Sequence, residues 1–157
     1  MTDLTNNSPR KFEGENIENM TFPMGANLQL FAGSALMMAA ATGLAANCTP
    51  TASGIFIGFA DEEKDNRTGS AFGGLAASCN IAIRARGRVW LTVAEAGNWA
   101  RTQIGATVYA SDGNVFTTAA GTNNILIGKV AAIPTAAVGA ASASILVAFE
   151  AEAFQSL

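Results

Sequence analysis

Three arginines alternate along one stretch, Arg84, Arg86 and Arg88, and Trp90 continues the alternation. In an extended strand, residues two apart share a face at about 7 Å spacing. Three guanidinium groups in such a row repel one another unless carboxylates or a counter-surface face them. The stripe therefore has two readings. It can bind an acidic patch on a partner, with Trp90 as an aromatic anchor. It can equally be a solvated face neutralised inside the chain by Glu62, Glu63 or Glu95. The other candidate partner-binding residues are Phe12, Ile17 and Phe22, apolar side chains spaced along a polar N-terminal stretch.

Enzymatic chemistry finds little to work with. The chain has no histidine, which removes Ser–His and Cys–His nucleophile pairs, histidine metal sites and the usual general base near neutral pH. The phosphate-cradling Gly-x-x-x-x-Gly-Lys-Ser/Thr loop, the dinucleotide Gly-x-Gly-x-x-Gly turn and the Gly-x-Ser-x-Gly elbow are all missing. Carboxylates cluster at Asp61, Glu62, Glu63 and Asp65 without the glycine and terminal glutamate of a calcium loop. A carboxylate pair distant in sequence is the one enzymatic alternative left open. The expectation is a protein that is not an enzyme, with no catalytic residue, no metal site and no cofactor.

Composition narrows the partners. Half of the 157 residues are hydrophobic and only 13% are charged, about half the usual charged fraction. That apolar content excludes wholesale disorder. A net charge of −3 argues against nucleic acid, whose binders are strongly basic. A surface so poor in charge is often covered by copies of itself or by a partner. The apolar run from Leu30 to Ala46 is at the lower limit for a membrane span. Its Gly33, Ser34, Thr42 and Gly43 fit buried strands around turns better, and it lies too far along the chain for an ordinary secretory signal. Cys48 and Cys79 lack metal-binding spacing and read as reduced, partly buried thiols.

These residues need elements to position them. Residues 1–24 read as an N-terminal arm, flexible or docked on a partner, and 25–157 as a β-rich domain. Strands are expected at Asn27–Ala32, Gly54–Ala60, Asn80–Ala94, Ala106–Ala110, Asn114–Thr118, Asn124–Val130 and Ser144–Glu150. Ala35–Ala40 is ambiguous because alanine, leucine and methionine also favour helix. Asp61–Gly69 reads as a solvated charged loop. Glu95–Trp99 could form one helical turn. Ser111-Asp112-Gly113 between alternating segments signals a hairpin, with Gly113 supplying a positive φ. The Ile-x-Ile-Gly segments at 55–58 and 125–128, each after a Gly-containing turn, form an internal echo. Two similar β-halves or chance similarity would both produce it. The fold class is all-β, a small barrel or sandwich of short strands.

Several of these segments resemble one family. Gly25-Ala26-Asn27, then GIFIGFADE from Gly54, then Gly87-Arg88-Val89-Trp90-Leu91, are similar to the small capsid cement proteins of tailed phages. The stretch GATVYASDGNVFTTAAGTNNILIGKVAA, Gly105 to Ala132, resembles their second half more closely. The likeness covers about residues 25–150. It implies a β-rich virion protein, made in the host bacterial cytoplasm, that decorates the outer surface of the capsid. The partners it implies are the major capsid protein and the chain itself, as a homotrimer. The polar arm and the Asp61–Arg67 segment depart from the family pattern. A virion or cell-surface fibre or receptor-binding module is the alternative.

Overall fold

The computed structural model describes residues 5–8, 10–13 and 19–151. The protein is mainly β, and no α-helix occurs among the described residues. Its strands are β1 (Phe12–Glu13), β2 (Asn19–Pro23), β3 (Leu28–Leu30), β4 (Ala35–Ala39), β5 (Ala45–Asn47), β6 (Gly54–Ala60) and β7 (Lys64–Asn66). They continue with β8 (Asn80–Arg84), β9 (Arg86–Ala94), β10 (Thr107–Asp112), β11 (Val115–Thr117), β12 (Ile125–Ala132) and β13 (Ser142–Glu150).

The last five strands close into a barrel in the order β9-β11-β10-β12-β13, with β13 returning to β9. Alternation explains the closure. Val89, Leu91 and Val93 of β9 point inward with Val108, Ile127, Ile145 and Val147, all essentially inaccessible. Trp99 fills one end and donates its indole N–H to the Val93 carbonyl at 3.1 Å. The segment expected to form a helical turn at Glu95–Trp99 instead runs as a loop around this plug, and a short 3-10 turn follows at Arg101–Gln103.

A second five-stranded sheet has the order β2-β8-β6-β4-β5. Its ends also meet, through a parallel bridge between Met24 and Ala45 and the Gly25 N–H donating to the Ala45 carbonyl at 3.0 Å. Its registers match those of the barrel one for one. Leu36 pairs Gly58 and Met38 pairs Ile55 across a bulge that skips Ile57. Val108 pairs Gly128 and Ala110 pairs Ile125 across a bulge that skips Ile127. Met38 then pairs Ala45 as Ala110 pairs Phe116. Ala60 pairs Ile83 as Val130 pairs Val147. Met24 meets Ala45 in parallel as Val93 meets Phe116. The Ile-x-Ile-Gly echo thus marks a structural repeat, with residues 19–84 and 86–150 built on one plan.

The glycine of each echo is required by the same approach. A Cβ on Gly58 would lie 2.9 Å from the Arg84 carbonyl carbon, and one on Gly128 2.9 Å from that of Ala148. No side chain fits between backbones this close.

The repeats share one buried core. Ala35, Met37, Phe56 and Phe59 on the outer wall of the first repeat pack over one mouth of the second. Phe59 sits edge-on to Phe149 at 5.0 Å and 6.1 Å from Phe116. The opposite face of that wall carries a separate core of Leu30, Leu36, Ile57, Ile81 and Ile83. The β3–β7 ladder covers this second core.

Three further local expectations differ from the structure, and one left open is decided. Asn80–Ala94 is continuous in alternation but divides at Ala85, where β8 ends in one repeat and β9 begins in the other. Within the expected charged loop, Lys64–Asn66 forms β7. Asn66 is its anchor, fully buried, donating to the carbonyls of Gly25 and Leu75 and accepting from the Ser78 hydroxyl. The hairpin at 112–115 forms, but Gly113 does not adopt a positive φ. It is closed instead by Asp112, whose carboxylate accepts from the Asn114 N–H at 3.1 Å. Ala35–Ala39 resolves as strand because both its faces are covered, one by each core.

Candidate interaction surface

The arginine stripe lies on the outer face of β8 and β9, and it is engaged within the chain. Arg84 meets Asp61 at 2.6 Å, and its guanidinium sits 4.5 Å above the Phe12 ring. Arg86 meets Glu150 at 2.9 Å, its cross-strand neighbour in the β9–β13 ladder. Arg88 is exposed and stands opposite Glu13 in the β1–β9 ladder. The neutralising carboxylates are thus Asp61, Glu150 and Glu13, not the expected Glu62, Glu63 or Glu95. Glu62 pairs with Lys64, and Glu95 accepts from the Thr118 hydroxyl.

Trp90 is half-buried on the same face. Its indole N–H donates to the Glu13 carboxylate at 2.6 Å, and the Lys11 ammonium lies 5.6 Å from its ring. That hydrogen bond, aided by Lys11 and by the positive field of Arg88, holds the Glu13 carboxyl below the usual carboxylate range.

The described arm residues add to these contacts, with Glu13 opposite Arg88 and the Phe12 ring under Arg84. Phe12 packs edge-on against Phe59 and Phe149 at 6.1 and 5.9 Å. Phe22 packs against the core of the first repeat. Ile17 lies outside the described residues. Arg10 donates to the Gly33 carbonyl at 2.9 Å and to the Asn114 side chain, and stacks 5.1 Å from Phe116. Its burial lowers its pKa to about 10. Ser8 N–H donates to the Ala32 carbonyl at 3.0 Å. The described arm residues therefore lie on their own chain.

Exposed apolar side chains are the remaining candidates for a contact surface. Leu75 is 72% exposed on the loop after β7, and Ile104 and Val138 are 56% and 45% exposed. The latter two follow the short turns at Arg101–Gln103 and Thr135–Ala137, which Arg101 links by donating to the Thr135 hydroxyl at 3.2 Å. A groove of about 340 Å³ lies between the β4–β5 turn and the start of β6. Sequence reasoning did not single out these residues. The signal available was the echo, which aligns exposed Leu126 with buried Phe56 and exposed Ile55 with buried Ile125.

Cys48 and Cys79 are both buried. Burial pushes the Cys79 thiol up, and its S–H points to the Met24 sulfur at 3.5 Å. No group of three potential metal-ligating side chains occurs among the described residues. No helix among them is long and apolar enough to cross a membrane. No protein family, curated protein or solved structure matches this chain.

Proposed function

We propose that the chain is a structural virion protein that binds the outer surface of a phage capsid and stabilises it by bridging neighbouring major capsid protein subunits. It acts as a homotrimer and by binding alone. Many modest contacts, repeated by symmetry, raise the barrier to capsomer separation.

The observation that supports this reading best is a double β-body of low charge that presents large apolar side chains outward at Leu75, Ile104 and Val138. Apolar side chains exposed on a charge-poor body suit protein contact. The side chains with chemistry to offer are committed to the body: Arg84 and Arg86 to carboxylates, Trp90 to Glu13, Trp99 to the core. The segments that resemble cement proteins fall on structural parts of both repeats, GIFIGFA on β6 and the Gly105–Ala132 stretch on β10 to β12.

The test is mass spectrometry on density-purified virions of the source phage, counting copies against the major capsid protein. A comparable copy number is expected. A handful of copies per virion overturns the cement reading and favours the fibre or receptor-binding alternative. Absence from virions overturns the cement reading as well and leaves the cell-surface form of the alternative.

A further inference from the structure

The repeat leaves one junction made and its counterpart open. Within the chain, the outer wall of the first repeat covers the mouth of the second. Met37 and Phe56 of that wall belong to one buried core with Ala110 and Ile125 of the mouth. Register equates Met37 with Tyr109 and Phe56 with Leu126 on the outer wall of the second repeat. It equates Ala110 with Met38 and Ile125 with Ile55 at the mouth of the first. Both equivalents are only partly covered, with Tyr109 and Met38 half-buried. Leu126 is 42% exposed and Ile55 36%. The groove of about 340 Å³, lined by Met38, Ala39, Ala40, Gly43, Gly54 and Ile55, lies at this unoccupied mouth.

We propose that copies of this chain associate head to tail, the Tyr109–Leu126 wall of one copy seating on the Met38–Ile55 mouth of the next. The occupant is a second copy because the chain already joins the same pair of surfaces once, with the same strand registers on both sides. The chemistry is matched as well. The mouth carries no charged residue, and the wall offers an aromatic ring and a leucine to it. One position differs in a compensating way. Lys129 stands on the wall where Phe59 stands in the internal junction. The mouth residues that Phe59 meets there, Phe116 and Phe149, have Ala45 and, at the β8–β9 junction, Ala85 as their counterparts in the first repeat. With no ring to stack on, a lysine stem can lie along the rim and keep its ammonium in water. A contact between two different surfaces is heterologous, so it closes into a ring or runs on as a filament. The inference rests on the self-association part of the proposed function, not on capsid attachment.

The test uses the purified full chain and light scattering coupled to size exclusion. Four samples are compared: parent, Ile55→Asp, Leu126→Asp, and an equal mixture of the two variants. The parent is expected at a multiple of 16.0 kDa and each variant alone at 16.0 kDa. The mixture is expected as a two-chain complex, because the intact wall of Ile55→Asp can still seat on the intact mouth of Leu126→Asp. Far-UV circular dichroism checks folding, and Ile55→Gln or Leu126→Gln replaces a variant that loses its spectrum. Variants that keep the parent's mass, a mixture that stays at 16.0 kDa, or a parent that is monomeric at all concentrations overturn the proposal. Capsid binding is measured separately. A monomeric parent that still decorates capsids overturns head-to-tail association alone, whereas an assembled parent that ignores capsids overturns the capsid reading alone.

Discussion

Replacing Phe12 by alanine tests whether the N-terminal segment is part of the body. The ring is half-buried, edge-on to Phe59 and Phe149, with the Arg84 guanidinium 4.5 Å above it. Full burial of a phenylalanine stabilises by about 1.5–3 kcal/mol, and partial exposure puts this ring below the upper figure. Each edge-to-face pair adds about 0.5–1.5 kcal/mol, and the cation–π contact about 0.5–1 kcal/mol. These contributions overlap, so the expected loss is about 2–4 kcal/mol rather than their sum. In a chain of this size that lowers the melting midpoint by roughly 5–12 °C. Urea unfolding followed by tryptophan fluorescence measures it, and Phe12→Leu should fall between parent and alanine variant. A loss under about 0.5 kcal/mol, the ordinary range for a surface site, would refute the reasoning. It would mean that β1 leaves the body in solution and that Phe12 belongs to a partner.

Other perturbations follow from particular contacts. Gly58→Ala and Gly128→Ala should each destabilise the chain by at least about 2 kcal/mol, because a Cβ forces two paired backbones apart. Gly97→Ala, where a Cβ comes no nearer than 3.9 Å to any neighbour, should change stability by under about 0.5 kcal/mol. Equal losses at all three sites in thermal melts would contradict this. Glu13 has a lowered folded pKa, so its contribution is present above its unfolded pKa and is lost as pH falls through the folded one. The stability gap between parent and Glu13→Gln should therefore be constant above about pH 5 and close toward acid. A gap that persists undiminished to about pH 2 would show that Glu13 does not hold Trp90 by charge. Asn66→Leu should cost about 2–4 kcal/mol, since it strands the Gly25 and Leu75 carbonyls. Hydrogen exchange should quicken over the loop that follows β7, and unchanged exchange there would mean that the loop is held by other contacts.

Much of the barrel can be read in the residues. GIFIGFA is strand from Gly54 to Ala60 as its β-formers indicate, and the inward alternation of Val89, Leu91 and Val93 survives intact. The division at Ala85 is invisible because alternation does not change when a strand passes from one sheet to the next. β7 is invisible for the opposite reason. Lys-Asp-Asn has no apolar alternation, and only the buried amide of Asn66 makes it strand. The arginine stripe was legible as a stripe, but its carboxylates were not. Asp61 and Glu150 are 23 and 64 residues from their partners and meet them only through sheet pairing. The polarity of the arm concealed that Phe12 and Phe22 are core-facing anchors.

Phe12 also bears on the order in which the chain can fold. Its ring rests on Phe149, so the first strand has no complete seat until nearly the last one exists. β1 pairs with β9, which itself must be held by β13. On the ribosome Phe12 must therefore wait until the chain has been made as far as Phe149. The first repeat meanwhile displays Phe56 and Phe59 with nothing yet to cover them. Closing contacts so far apart in sequence slows folding more than it weakens the product. The interval in which aromatic surface stands open is then set by synthesis itself, and it is the moment at which this protein is most exposed to aggregation.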